Sequence, residues 1–130
     1  MLSSGKKKYL FTICELGLNG EEIQSTKIAH QLGVKRPSVA KMLSALMEDG
    51  YIEKEYYGKV SLTEAGLLTA NQLYANYLLL YAYFHQLLQF SSENARHDAL
   101  VCICDFSEEG IERLAASLLE KQKLDELPIL

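Results

Sequence analysis

A mainly α-helical fold, with a winged helix-turn-helix in front and a helical dimerisation region behind, is predicted by three observations. Residues 25–50, STKIAHQLGVKRPSVAKMLSALMEDG, read as two short helices around a glycine turn. Directly afterwards the apolar period shortens, and two short β-forming runs flank Gly58. From Thr63 onward the period is helical again.

The first stretch organises the rest. Ser25 or Thr26 offers a hydroxyl to cap the first of its two helices. Ile28, Ala29 and Leu32 then share one face. Gly33 ends that helix, because a left-handed residue there is cheapest without a Cβ. Val34 is the apolar turn residue expected to plug the angle between the helices. Pro37 suits the first turn of the second helix, where its missing N–H costs nothing. Val39, Met42, Leu43 and Leu46 make a buried stripe. Lys35, Arg36, Ser38 and Lys41 are left on the outward N-terminal side, where a recognition helix meets bases and phosphates.

Charge follows this division. Residues 1–60 carry nine Lys/Arg against seven acids, a net +2; residues 61–130 carry four against ten, a net −6. A basic front and an acidic back suit a protein that touches phosphate with one end. The 130 residues are enough for one domain with a helical extension, and 48% hydrophobic content supports a core. No secretory leader pattern follows Lys6, Lys7 and Lys8. The longest uninterrupted apolar run, residues 77–84, is far short of the roughly 20 needed to span a bilayer. Three cysteines without framework spacing fit a reducing cytoplasm, and no membrane partner is expected.

In chain order, Lys6 to Lys8 form the solvated start of a first helix whose face is Tyr9, Leu10, Ile13, Leu16 and Gly17. Ile23 is expected to pair as a short strand with the segment after Gly50. Tyr51-Ile52 and Val60-Ser61-Leu62 make the hairpin. Lys54, Tyr56, Tyr57 and Lys59 are either wing contacts to DNA backbone or an ordinary exposed hairpin diluted by Glu53 and Glu55. Thr63 caps a long helix running to about Phe90. On it Leu73, Leu80 and Leu87 recur every seven residues beside Tyr74, Tyr77, Tyr81, Phe84 and Leu88. Leu73, Tyr74, Tyr77, Leu80, Tyr81 and Phe84 are the core or dimer stripe, since residues 77–84 are apolar on all sides. Ser91 to Glu93 start a helix to about Cys104, and Ser107 caps a last one bearing Ile111, Leu114, Ala115, Leu118 and Leu119. The expected domains are 6–62 for DNA binding, 63–122 for dimerisation and effector response, and a polar tail at 123–130. A dimer on a palindrome is the usual solution for so small a basic module.

The order of YLFTICEL, the helix-turn-helix, VSLTEAG, a long helix and SEEGIERL resembles the iron-dependent repressor family over about residues 8–120. It looks like the short, manganese-regulator form without an SH3-like domain. The resemblance implies a homodimeric regulator of transcription, bound to a palindromic double-stranded operator when manganese or iron is present. It also places recognition contacts on Lys35, Arg36, Pro37, Ser38 and Lys41. The family's metal ligands would fall at Lys8, Phe11, Tyr77, Leu100, Ile103 and Cys104, almost none of which can ligate. A one-residue shift of the alignment after Ser91 brings His97 or Asp98 near a ligand position without rebuilding a carboxylate-rich site. Fold and DNA binding carry over, and metal sensing by that site does not.

The remaining metal candidates are Cys102, Cys104, His97 and Asp98, with Cys14 as a further thiol. Cys102 and Cys104 on one helix point about 200° apart, which disfavours chelating one ion. They are buried structural cysteines or a thiol or soft-metal sensor. No phosphate loop, His-Glu-x-x-His pattern or nucleophile elbow is present, so an enzyme is not expected. Two other readings share the fold: a regulator sensing an organic ligand or thiol redox state, and a protein-interaction module that no longer binds DNA.

Overall fold

The computed structural model describes residues 2–55 and 58–125, and of 122–125 the backbone only. Its helices are α1 (Ser4–Leu18), α2 (Ser25–Leu32), α3 (Arg36–Glu48), α4 (Glu64–Ala82), α5 (Ser92–Asp105) and α6 (Glu108–Asp125). A two-stranded sheet, β1 (Ile52–Lys54) and β2 (Val60–Leu62), lies between α3 and α4, and a π-helical turn, Tyr83–Leu87, follows α4. The chain divides into two compact units inside α4, between Gln72 and Leu73.

In the front unit Ser3 caps α1, its hydroxyl accepting from the Lys6 amide at 3.2 Å. Leu10, Phe11 and Ile13 of α1 are fully buried, so the covered face is wider than the expected stripe. The lysines at its start are not simply solvated. The Lys6 ammonium pairs with the Asp49 carboxylate just past α3. Lys7 is only 8% exposed. Lys8 is exposed as expected.

The helix-turn-helix folds as the sequence predicts, with two corrections. Gly33 holds the left-handed conformation at φ 65°, and the Val34 amide donates back to Ala29 O at 3.1 Å. Neither Ser25 nor Thr26 caps α2: Ser25 is already its first residue, and Gln24 at the N-cap makes no side-chain bond. Val34 stays 38% exposed, because Ile28, Val39, Leu43 and Leu46 already fill the interhelical core.

The wing is an antiparallel pair in register Ile52↔Leu62 and Lys54↔Val60, with Gly58 at φ 80° in its turn. The segment before α2 joins it, as expected for Ile23. The Val60 amide donates to Ile23 O at 2.8 Å, and Gln24 bridges Lys59. Tyr56 and Tyr57 lie outside the described residues.

The corner between wing and α4 is the tightest junction in this unit. Thr63 Oγ1 accepts from the Gly66 amide at 3.1 Å and donates to Gly50 O at 2.6 Å. The Thr63 amide donates to Tyr51 O at 3.0 Å. One residue therefore caps α4 and ties it to the chain leaving α3. Thr63→Ala is expected to cost about 1.5 kcal/mol in urea unfolding, more than an ordinary cap, because two bonds are lost.

In the back unit Leu73, Tyr77 and Leu80 are buried while Tyr74, Tyr81 and Phe84 are half-buried. The long helix does not run regularly to Phe90. After Ala82 it widens into the π turn, where the Leu88 amide donates to Tyr83 O at 3.0 Å. Gln89 then closes it at φ 60°, a conformation ordinarily left to glycine. Leu87 and Leu88 consequently face outward at 38% and 46% exposure. Ser91 and Ser107 cap α5 and α6 as expected, accepting from Asn94 N at 3.1 Å and Gly110 N at 2.9 Å. The last helix continues to Asp125, past the expected start of a tail at 123; residues 126–130 lie outside the described residues.

Candidate nucleic-acid interface

The candidate interface is built by α3. Its inner face is fixed by Val39, Leu43 and Leu46, which are at most 1% exposed. Burial of that stripe determines what must point away. Lys35, Arg36, Pro37, Ser38 and Lys41 are all exposed. Lys35 forms the N-cap, and no acid occupies the first turn of the helix. Pro37 falls within that turn, as expected.

Among the described residues, two of the unit's lysines have acid partners. Lys6 is neutralised by Asp49, and Lys27 lies 3.9 Å from Glu21. Lys35, Arg36 and Lys41 meet no acid among the described residues, and neither does Lys59 just before β2. Thr26 is exposed at the start of α2 and Ser25 is half-buried. Unpaired cations beside exposed hydroxyls provide what phosphate oxygens and guanine edges accept.

Ala40 and Ser44 are also exposed on α3 and were absent from the expected set. The signal was available: they follow Arg36 at i+4 and i+8, one row along the outward face. A small exposed Ala at that position can approach a thymine methyl.

The metal candidates do not converge. Among the described residues no group of three or more His, Cys, Asp or Glu comes together. Cys102 and Cys104 are buried, whereas His97 is exposed and bonds its neighbour Asp98, Nδ1 to Oδ1, at 2.9 Å. Burial pushes the Cys102 thiol up, and the Asp98 carboxylate pushes it further. Burial, with Glu15 beside it, does the same to Cys14. Both thiols thus resist the thiolate form that metal binding and oxidation need.

The positions matched to the family's metal ligands do not fit a divalent cation either. Phe11 and Ile103 are packed apolar side chains at 1% exposure. The Tyr77 hydroxyl accepts from Arg96 at 3.2 Å, and the guanidinium lies 5.8 Å from the ring centroid. A fixed positive charge there repels a second one. Tyr77 instead belongs to a ladder, 5.9 Å from both Tyr74 and Tyr81, which continues to His85 at 5.4 Å.

A helix-turn-helix with a two-stranded wing and an unpaired basic outward helix defines a winged-helix DNA-binding domain. Residues 1–60 match the family described as iron dependent repressor, N-terminal DNA binding domain, so the resemblance to that family is shown. An uncharacterized HTH-type transcriptional regulator of Methanocaldococcus jannaschii, MJ0568, is 27% identical over 96 residues, 74% of this chain and 77% of that protein. The manganese regulator SloR superposes with a TM-score of 0.73 at 26% identity, over 95% of this chain and 54% of that one. IdeR of T. acidophilum also gives 0.73 at 26% identity, over 88% of this chain and 52% of its own. The chain spans about half the length of these two solved relatives.

Proposed function

We propose that this protein is a transcriptional regulator that binds a two-fold symmetric operator as a homodimer and takes its signal from something other than the family's divalent metal. The observation that carries the reading is that Lys35 at the N-cap of α3, and Arg36 and Lys41 on it, are exposed and meet no acid among the described residues. Two such helices in a dimer would enter successive major grooves roughly 34 Å apart, or a multiple of that. Lys54 at the end of β1 and Lys59 just before β2, both exposed, would hold the flanking backbone. The stripe of Leu73, Tyr77 and Leu80, with Tyr74, Tyr81 and Phe84 beside it, would be the core of the dimerising region. The absence of donor atoms at Phe11 and Ile103, with Arg96 on Tyr77, supports a lost metal response. Raised thiols at Cys14 and Cys102 argue against redox sensing in its place.

The test is fluorescence anisotropy with a random duplex, followed by selection of bound sequences from a random pool. Chelator-treated protein is expected to bind DNA with an affinity that manganese and iron leave unchanged. The selected sites are expected to be palindromic. Lys41→Ala is expected to weaken binding to all sequences alike and to lower the slope of log K against log salt by about 1. A large gain in affinity on adding metal would overturn the metal-independent trigger. Binding without salt dependence would overturn the DNA-binding reading itself.

A further inference from the structure

A cavity of about 700 Å³ opens in the front unit between the last turns of α1, residues 20–23, β2 and the first turns of α4. Its size is that of a small-molecule site. Its apolar lining is not filled by the protein's own side chains: Leu18 is 62% and Leu67 48% exposed, and Ile23 and Leu62 are only half-buried. Isolated exposed leucines need no explanation, but four incompletely covered apolar side chains around one concavity mark a binding surface.

Charge on the lining is uneven. The C-terminal end of α1 has no basic residue in its last turn to meet the negative end of its dipole. Glu21 and Glu22 follow at once, both on the cavity wall. Glu21 has Lys27 at 3.9 Å, whereas Glu22 has no ion-pair partner among the described residues. Lys59, just before β2, supplies the positive charge of the lining. Two carboxylates against one ammonium leave the lining net negative, with Glu22 the acid that lacks a partner among the described residues.

We propose that this cavity binds an amphiphilic organic cation, with its apolar body on Leu18, Ile23, Leu62 and Leu67 and its basic nitrogen at Glu22. Such an occupant touches β2 and α4 together and fixes the wing against the helix that follows it. Its effect on DNA affinity rests on the DNA-binding reading above, but the binding itself does not.

Three eight-carbon probes of different charge test it on the full chain by calorimetry: octylammonium, 1-octanol and octanoate. Octylammonium is expected to saturate one site about three-fold more tightly than 1-octanol, with octanoate weakest. Glu22→Gln is expected to erase the preference for the ammonium while leaving 1-octanol binding in place. Leu67→Ser is expected to weaken octylammonium and 1-octanol alike. No saturable binding, equal binding of octanoate, or a preference that survives Glu22→Gln would overturn the proposal. Duplex affinity measured with octylammonium present is expected to change at least about two-fold in the native protein, and in Glu22→Gln only at about three-fold higher octylammonium concentration. Saturable binding with unchanged duplex affinity would overturn the effector role. A protein that binds no duplex at all would refute the regulator reading while calorimetry still decides the site.

Discussion

Gly66→Ala is expected to be among the most damaging single-methyl additions in the chain. A Cβ built on Gly66 would lie 1.9 Å from the Tyr51 carbonyl oxygen and 2.9 Å from its carbon. Both are backbone atoms, so no rotamer change relieves the overlap. The Tyr51 oxygen is also held by the Thr63 amide, and Thr63 in turn holds Gly50 and Gly66. Either α4 moves off the wing or the corner opens, and each route breaks those bonds. The expected loss is about 3 kcal/mol in urea unfolding. The damage should also reach DNA binding, because Gly50 lies two residues past the end of α3 and its amide donates to Met47 O at 3.0 Å. Gly33→Ala is the useful contrast. Nothing lies within 4 Å of a Cβ there, and only the left-handed φ of 65° is penalised, at about 1 kcal/mol.

Arg36→Ala is expected to give the largest loss of sequence preference. Arg36 is exposed in the first turn of α3, has no acid partner among the described residues, and carries a planar fork that fits guanine O6 and N7. Removing it should cost about 1–3 kcal/mol on the selected operator, roughly 5- to 150-fold. On random duplex the loss should be smaller, since only a phosphate-strength contact disappears there. Competition between operator and random duplex separates the two. Equal losses on both would make Arg36 a backbone contact and remove it from the reading set.

Local chemistry was what the amino-acid order made legible. Gly33, Pro37, Gly58, Ser91 and Ser107 each act within a few residues of themselves, as does the cap that Thr63 places on α4, and all of these follow from the local sequence. The outward face of α3 was legible because the buried stripe of Val39, Leu43 and Leu46 fixes it. What escaped depends on distant partners. Lys6 finds Asp49 across 43 residues, and no local pattern announces that pair. Lys7 is buried although lysine is a residue type that mostly stays exposed. Ser25 looks like a cap, yet the bridge between Gln24 and Lys59 sets the extended backbone one residue earlier, so the helix starts on Ser25 itself. The cavity beside Ile23 and Leu67 joins four separate elements and has no signature in any of them.

The π turn at Tyr83–Leu87 bears on how two copies of this chain could pair. A seven-residue repeat makes a continuous seam only while each turn holds its usual number of residues. One extra residue in a turn swings everything beyond it by about 100°. Leu73 and Leu80 keep their line, but Leu87 is thrown out of it and stands exposed. The leucine ladder that the sequence displays therefore amounts to a single heptad step, about 10 Å along the axis. A subunit contact of that length cannot zip as a coiled coil. Any dimer must gather its area from several short helical faces instead, and its strength should respond to many modest substitutions more than to the loss of one leucine.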